Sequence, residues 1–160
     1  MWNTGCKNIA NGLGRAINVL DGEDNHWAVT VGSAGGVPFD DVIFPWCNNS
    51  NEIASKACRV SATDSGKVFM YVFQDYGVNQ LCWSLSGGGD LWTNRRQVTN
   101  GRHSNHAQSP LPEVDLYIAG DRVFAVPATS PDNFKKYYAD ILEIVSAVGE
   151  IAAAIAAVAA

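Results

Sequence analysis

This chain is short of positive charge. Its 11 Lys and Arg stand against 16 Asp and Glu, for a net charge of −5. A nucleic-acid partner needs a cationic face. The small cluster Arg95, Arg96 and Arg102 does not supply one, so no nucleic acid is expected as a partner.

The usual signatures of catalysis and of metal binding are also missing. Cys6, Cys47, Cys58 and Cys82 fit no CxxC or zinc spacing. In a leaderless protein they read as buried thiols; in a secreted one, Cys47 and Cys58 would make a loop staple, with three overall pairings open. No GxSxG or SxxK frames a nucleophilic serine. Gly87-Gly88-Gly89 is followed by no Lys-Ser/Thr and is not a phosphate loop. His103 and His106 have metal-site spacing but no evident third ligand. Asp40 and Asp41 are adjacent on a strand candidate, and so point to opposite faces rather than forming an acid–base pair. An enzyme, a cofactor and a metal are therefore not expected.

The start of the chain, MWNTGCKNIANGLG, has no basic segment leading into an apolar one. No signal peptide is read there. The expectation is a leaderless cytoplasmic protein, or one released by a non-classical route. The sequon Asn48-Asn49-Ser50 would matter only in a secretory compartment.

What is present is an ordinary globular composition, 47% hydrophobic and 10% aromatic, in a length that fits one domain plus an appendage. Residues 1–14 read as a polar arm with Trp2 as an anchor. From 15 to 128 the pattern is strand-like. Trp27-Ala28-Val29-Thr30-Val31 alternates, and Val42-Ile43-Phe44 is stopped by Pro45. Lys67–Phe73 and Gln80–Leu85 form a hairpin around Gly77. Asp115–Ala119 and Arg122–Val126 form another around Gly120-Asp121. The fold class expected is mainly β: one antiparallel β-sandwich, or a small barrel, with a long C-terminal helix. Thr93 to Pro112 reads as a long polar loop, the kind that carries function.

Ser130-Pro131-Asp132 is a helix start, with a cap, a first-turn proline and an acid that suits the dipole. From 131 to 160 only Gly149 weakens a continuous helix. Phe134, Tyr137, Ile141, Ile144, Val148, Ile151, Ile155 and Val158 repeat at alternating intervals of three and four, an apolar heptad seam. Most are Ile or Val, which favours three or more strands. After Glu150 the segment is apolar all round, as buried helices are. The helix could lie on its own β domain, bundle with other copies, or enter a membrane. The stretch from Ile144 to Ala160 is at the short limit for a span, and Glu150 near its centre opposes insertion. The bundle accounts for the heptad, so a homo-oligomer of three or more chains is expected.

Tryptophans beside Asn, Asp and Arg make a surface on which a sugar ring stacks while amides and acids bind its hydroxyls. Two such places occur. Trp46 is followed by Asn48 and Asn49, and Trp92 lies between Asp90 and Asn94-Arg95. The stretch VFMYVFQDYGVNQLCWSLSGGGDLW, Val68 to Trp92, resembles a blade motif of the fungal fucose-binding propeller lectins. That resemblance implies glycan binding and implicates Gln74 with Trp83 or Trp92. No second copy of the motif is visible, and a propeller needs repeats. The general layout also resembles small β-sandwich proteins of the aegerolysin and actinoporin kind. The expected function is lectin-like, non-enzymatic recognition of glycans or lipid headgroups. The expected ligand residues are Trp92, Asp90, Asn94, Arg95, Gln74, Trp46 and Asn49. A pore-forming cytolysin and a structural assembly protein are the alternatives.

Overall fold

The computed structural model describes residues 4–23, 28–77, 80–102, 113–144 and 148–159, with residues 40–42 and 100–102 described by their backbone alone. Trp2, His26, Trp27, His103 and His106 lie outside the described residues, as do residues 103–112 of the expected 93–112 loop; the described half is corrected, because Arg96–Arg102 form a strand rather than a loop.

The chain is mainly β. Eleven strands run in order: β1 (Gly5–Asn11), β2 (Ile17–Leu20), β3 (Ala28–Val31), β4 (Gly36–Ile43), β5 (Trp46–Cys47), β6 (Cys58–Ala62), β7 (Val68–Asp75), β8 (Gln80–Leu85), β9 (Arg96–Arg102), β10 (Glu113–Ile118) and β11 (Val123–Pro127). Three helices accompany them: α1 (Ser50–Lys56) between β5 and β6, then α2 (Pro131–Glu143) and α3 (Glu150–Ala159) after β11.

All the strands belong to one sheet, ordered β3-β2-β6-β7-β8-β9-β11-β10-β1-β4, with β5 attached to β7. Its two ends, β3 and β4, are consecutive in the chain and contact each other, so the sheet is barrel-like and nearly closed. Asn11 braces this closure. Its Nδ2 donates to the carbonyls of Arg15, Val31 and Gly32, and its backbone N–H donates to Gly35.

Of the two architectures expected, the small barrel is the nearer, and the antiparallel sandwich is corrected to a single mixed sheet. Both expected hairpins exist, as β7–β8 and β10–β11. But β1 runs parallel to β10, β9 parallel to β11 and β5 parallel to β7. The polar arm is also corrected, because residues 5–11 form β1, a strand with neighbours on both sides. Its asparagines are buried because partners await them. Asn8 donates to Asp115 at 2.7 Å, and Asn11 braces the closure.

The period of two divides the apolar side chains between inside and outside. Met70 and Val72 of β7, Leu81 and Trp83 of β8, and Val114, Leu116 and Ile118 of β10 join the barrel core. The alternate residues Phe73 and Cys82 face α1, where they pack with Ile53 and Ala57. Tyr117 faces α2, in a ring series with Phe124 at 4.9 Å, Phe134 at 6.1 Å and, from Phe134, Tyr138 at 5.2 Å. Gly36 permits this approach. A Cβ there would lie 2.9 Å from the Phe134 ring.

The single long helix is the third correction. The Ser130 cap and Pro131 start α2 as expected, with Ser130 Oγ accepting from the Asn133 N–H at 3.2 Å. But α2 stops at Glu143 and α3 begins at Glu150. Gly149 just before it has φ +144°, which a residue with a side chain rarely adopts, and a Cβ there would meet the Asp121 backbone at 2.7 Å. The first turn of α3 is then fixed by the Gly120 carbonyl, which accepts from the N–H groups of both Ile151 and Ala152. The eight heptad positions form no common stripe. Phe134 packs on Tyr117 outside the barrel, Ile151 and Ile155 are buried in the barrel core, and Tyr137, Ile144 and Val148 are exposed. Burying two isoleucines contributes about 4 kcal/mol, and the alanines between them let α3 approach β6 and β7 closely.

A polar cleft between the β8–β9 loop and the start of the last helix

Four of the seven expected ligand residues lie in the loop from Ser86 to Arg95 that joins β8 to β9. This loop is held by its own side chains. Asp90 accepts from Thr93 through both N–H, at 2.9 Å, and hydroxyl, at 2.7 Å. Its other oxygen accepts from Ser50 Oγ at 2.5 Å, and Ser50 in turn accepts from the Trp92 N–H at 3.0 Å. These bonds hold the Asp90 carboxyl below its usual range, Ser50 contributing most. Ser84 Oγ donates to the Leu91 carbonyl, and Asn94 Nδ2 to that of Gly88. Gly89, at φ +91°, makes the turn.

Trp92 does not stand open. Its ring packs toward Phe73 at 6.4 Å, and the Arg95 guanidinium covers it at 3.8 Å from the ring centre. Arg95 is fixed in turn by the buried Asp75, to which Nε donates at 2.8 Å, and by the Trp92 carbonyl, to which Nη1 donates at 2.7 Å. Asp90 and Trp92 therefore shape the loop, and one face of the indole is already occupied.

The other expected residues are dispersed. Gln74 is fully buried. Its Oε1 accepts from the Thr4 N–H and its Nε2 donates to the Phe44 carbonyl, which ties the chain before β1 to the end of β4. No ligand reaches it without unfolding this bracket. Asn49 caps α1, accepting from the Glu52 N–H at 2.9 Å, while Glu52 accepts from the Asn48 N–H. Trp46 meets the exposed Tyr76 edge to face at 6.2 Å, on β5.

What the structure does assemble is a cleft of ≈430 Å³. The loop contributes Gly88, Thr93, Asn94 and Arg95, the strands contribute Trp83, Leu85 and Arg96, and α3 contributes Glu150. The volume lies within the usual range for small-molecule sites, about 300–1,000 Å³. Arg96 donates to Glu150, joining β9 to α3, and its guanidinium lies 5.6 Å over the Trp83 ring. Of the expected residues, only Asn94 and Arg95 line this cleft. Arg96 and Glu150 were missed as site residues. In sequence they are 54 positions apart, one in a small basic cluster and the other an isolated acid in an apolar tail.

The four thiols are free and buried. Burial pushes all four up, Cys47 and Cys82 to about 12. Among the described residues, no group of three His, Cys, Asp or Glu side chains is placed to hold a metal ion.

Comparison with protein-family models, with curated proteins and with solved structures finds no match to this chain.

Proposed function

We propose that this protein is a non-catalytic, lectin-like binding protein, and that its cleft between the β8–β9 loop and α3 takes a glycan or a lipid headgroup. The observation that carries this reading is the convergence of two arginines, an asparagine, a threonine and a glutamate on one ≈430 Å³ cleft. Arg95 is held in place over the Trp92 ring and by Asp75, Arg96 is paired with Glu150, and a preorganised polar group loses little freedom when a ligand arrives.

The test is binding of the purified protein to a printed glycan panel and to phospholipid vesicles. The expected result is retention on one of them that Asn94→Ala weakens. Retention on neither, or retention that the cleft substitution leaves unchanged, overturns the reading.

A second reading, association of several copies, is favoured by one observation. Ile144 and Val148, at the corner between α2 and α3, are 84% and 79% exposed, and Tyr137 on α2 is half exposed. Light scattering on the whole chain tests it. A discrete oligomer that Ile144→Glu reduces to monomers supports association through this corner, and a monomer at all concentrations overturns it. The membrane-inserting alternative has less support: no helix among the described residues is long and apolar enough to cross a membrane.

A further inference from the structure

Charge in the cleft is balanced pair by pair. Arg95 is matched by Asp75, which is 1% exposed behind the cleft wall. Arg96 is matched by Glu150, and both members of that pair are half exposed and face the cleft. An anion-binding site leaves its guanidinium groups free for the ligand, because a bidentate arginine draws its strength from an uncompensated carboxylate or phosphate. Here an anionic ligand would have to displace Glu150 and then sit against its charge.

A paired guanidinium and carboxylate at the mouth of a cleft offers something different. The guanidinium has five N–H donors, of which one goes to Glu150 in this structure. The carboxylate can accept further hydrogen bonds from the ligand. Donor and acceptor lie side by side, both charged, which makes each hydrogen bond to a neutral hydroxyl stronger than a neutral–neutral one. Two adjacent hydroxyl groups match that arrangement, one accepting from Arg96 and one donating to Glu150. Thr93 and Asn94 of the β8–β9 loop, which also line the cleft, add polar contacts.

We infer that the cleft selects a neutral saccharide, mono- or disaccharide in size, through a vicinal diol held between Arg96 and Glu150, and that it discriminates against sialylated, sulfated and phosphate-bearing ligands. This inference rests on the cleft being the binding site.

The experiment compares neutral mono- and disaccharides with their sialylated, uronic and sulfated counterparts on one printed panel, together with phosphatidylserine and phosphatidylcholine vesicles. The probes are read for the wild type, Glu150→Gln and Arg96→Ala. Glu150→Gln keeps the shape of the side chain and removes only an exposed ion pair, so the fold is retained. The expected result is at least tenfold preference for a neutral sugar over its charged counterpart, with tenfold or greater loss in both variants. Two results overturn the inference while leaving the binding site intact. One is preference for a charged ligand that Arg96→Ala abolishes, and the other is a gain in binding by Glu150→Gln. Binding that neither variant alters, or no binding to any probe, overturns the cleft reading and the inference with it.

Discussion

Arg95 lies over Trp92, its guanidinium carbon 3.8 Å from the indole centre, while its Nε reaches Asp75 at 2.8 Å. One side chain therefore joins the loop that shapes the cleft to the buried end of β7. Asp75 also accepts from the Gly77 N–H at 2.9 Å, so it organises the turn after β7 as well.

Removing either partner strands the other. Arg95→Ala leaves a carboxylate that is 1% exposed without its cation. The expected loss is about 3 kcal/mol, the low end for a broken buried pair because the arginine is partly in water. The measurement is urea denaturation of Arg95→Ala, Asp75→Ala and the double variant. The double should be no less stable than Arg95→Ala. Losses below about 1 kcal/mol in both single variants would show that the pair is peripheral.

The tail separates two kinds of apolar residue that look alike in sequence. Ile155 is buried in the barrel core and Ile144 is 84% exposed. Ile155→Ala should cost about 2–4 kcal/mol through lost burial and the cavity left behind. Ile144→Ala should change stability by less than about 0.5 kcal/mol. Equal costs would return the heptad to a single structural role.

That contrast also shows what could be read in advance. The hairpins β7–β8 and β10–β11 and the Ser130-Pro131 helix start were legible, because alternation, turn glycines and caps act over a few residues. The division of the tail was not. Its spacing of three and four fits one helix, but Gly149 at φ +144° and the double acceptor Gly120 are tertiary facts. β1 was hidden for a similar reason: Asn8 and Asn11 look like solvent residues until Asp115 and the Val31 and Gly32 carbonyls are brought to them. At the site, Asn94 and Arg95 could be chosen from local composition. Arg96 with Glu150 could not, since only the fold of α3 joins them.

The β8–β9 loop should respond to acid through Asp90. Its carboxyl titrates below its usual value because Ser50 and Thr93 donate to the charged form. A group with a lowered folded-state pKa stabilises above its unfolded value, about 3.9, and loses that contribution as pH falls through the folded value. Wild type should therefore exceed Asp90→Ala in stability at pH 6, and the difference should shrink below about pH 4. Thermal unfolding of the two proteins between pH 6 and pH 2.5 is the check. A difference that grows on acidification would contradict the assignment.

The cysteines should be silent in the folded protein. All four are buried, and burial holds Cys47 and Cys82 at about 12, so thiolate is scarce at pH 8. A disulfide reagent should label none of the 4 within minutes and all of them in guanidinium chloride. Fast labelling of one thiol in native buffer would mean that its part of the core opens readily.

The most direct test of the account is where a ligand lands. A backbone amide NMR map of the whole chain, titrated with the saccharide best retained on the glycan panel, locates it. Shifts are expected at Gly88, Thr93 to Arg96 and Glu150. Shifts confined to Trp46 and Tyr76, or to Ile144 and Val148, would place binding elsewhere and contradict it.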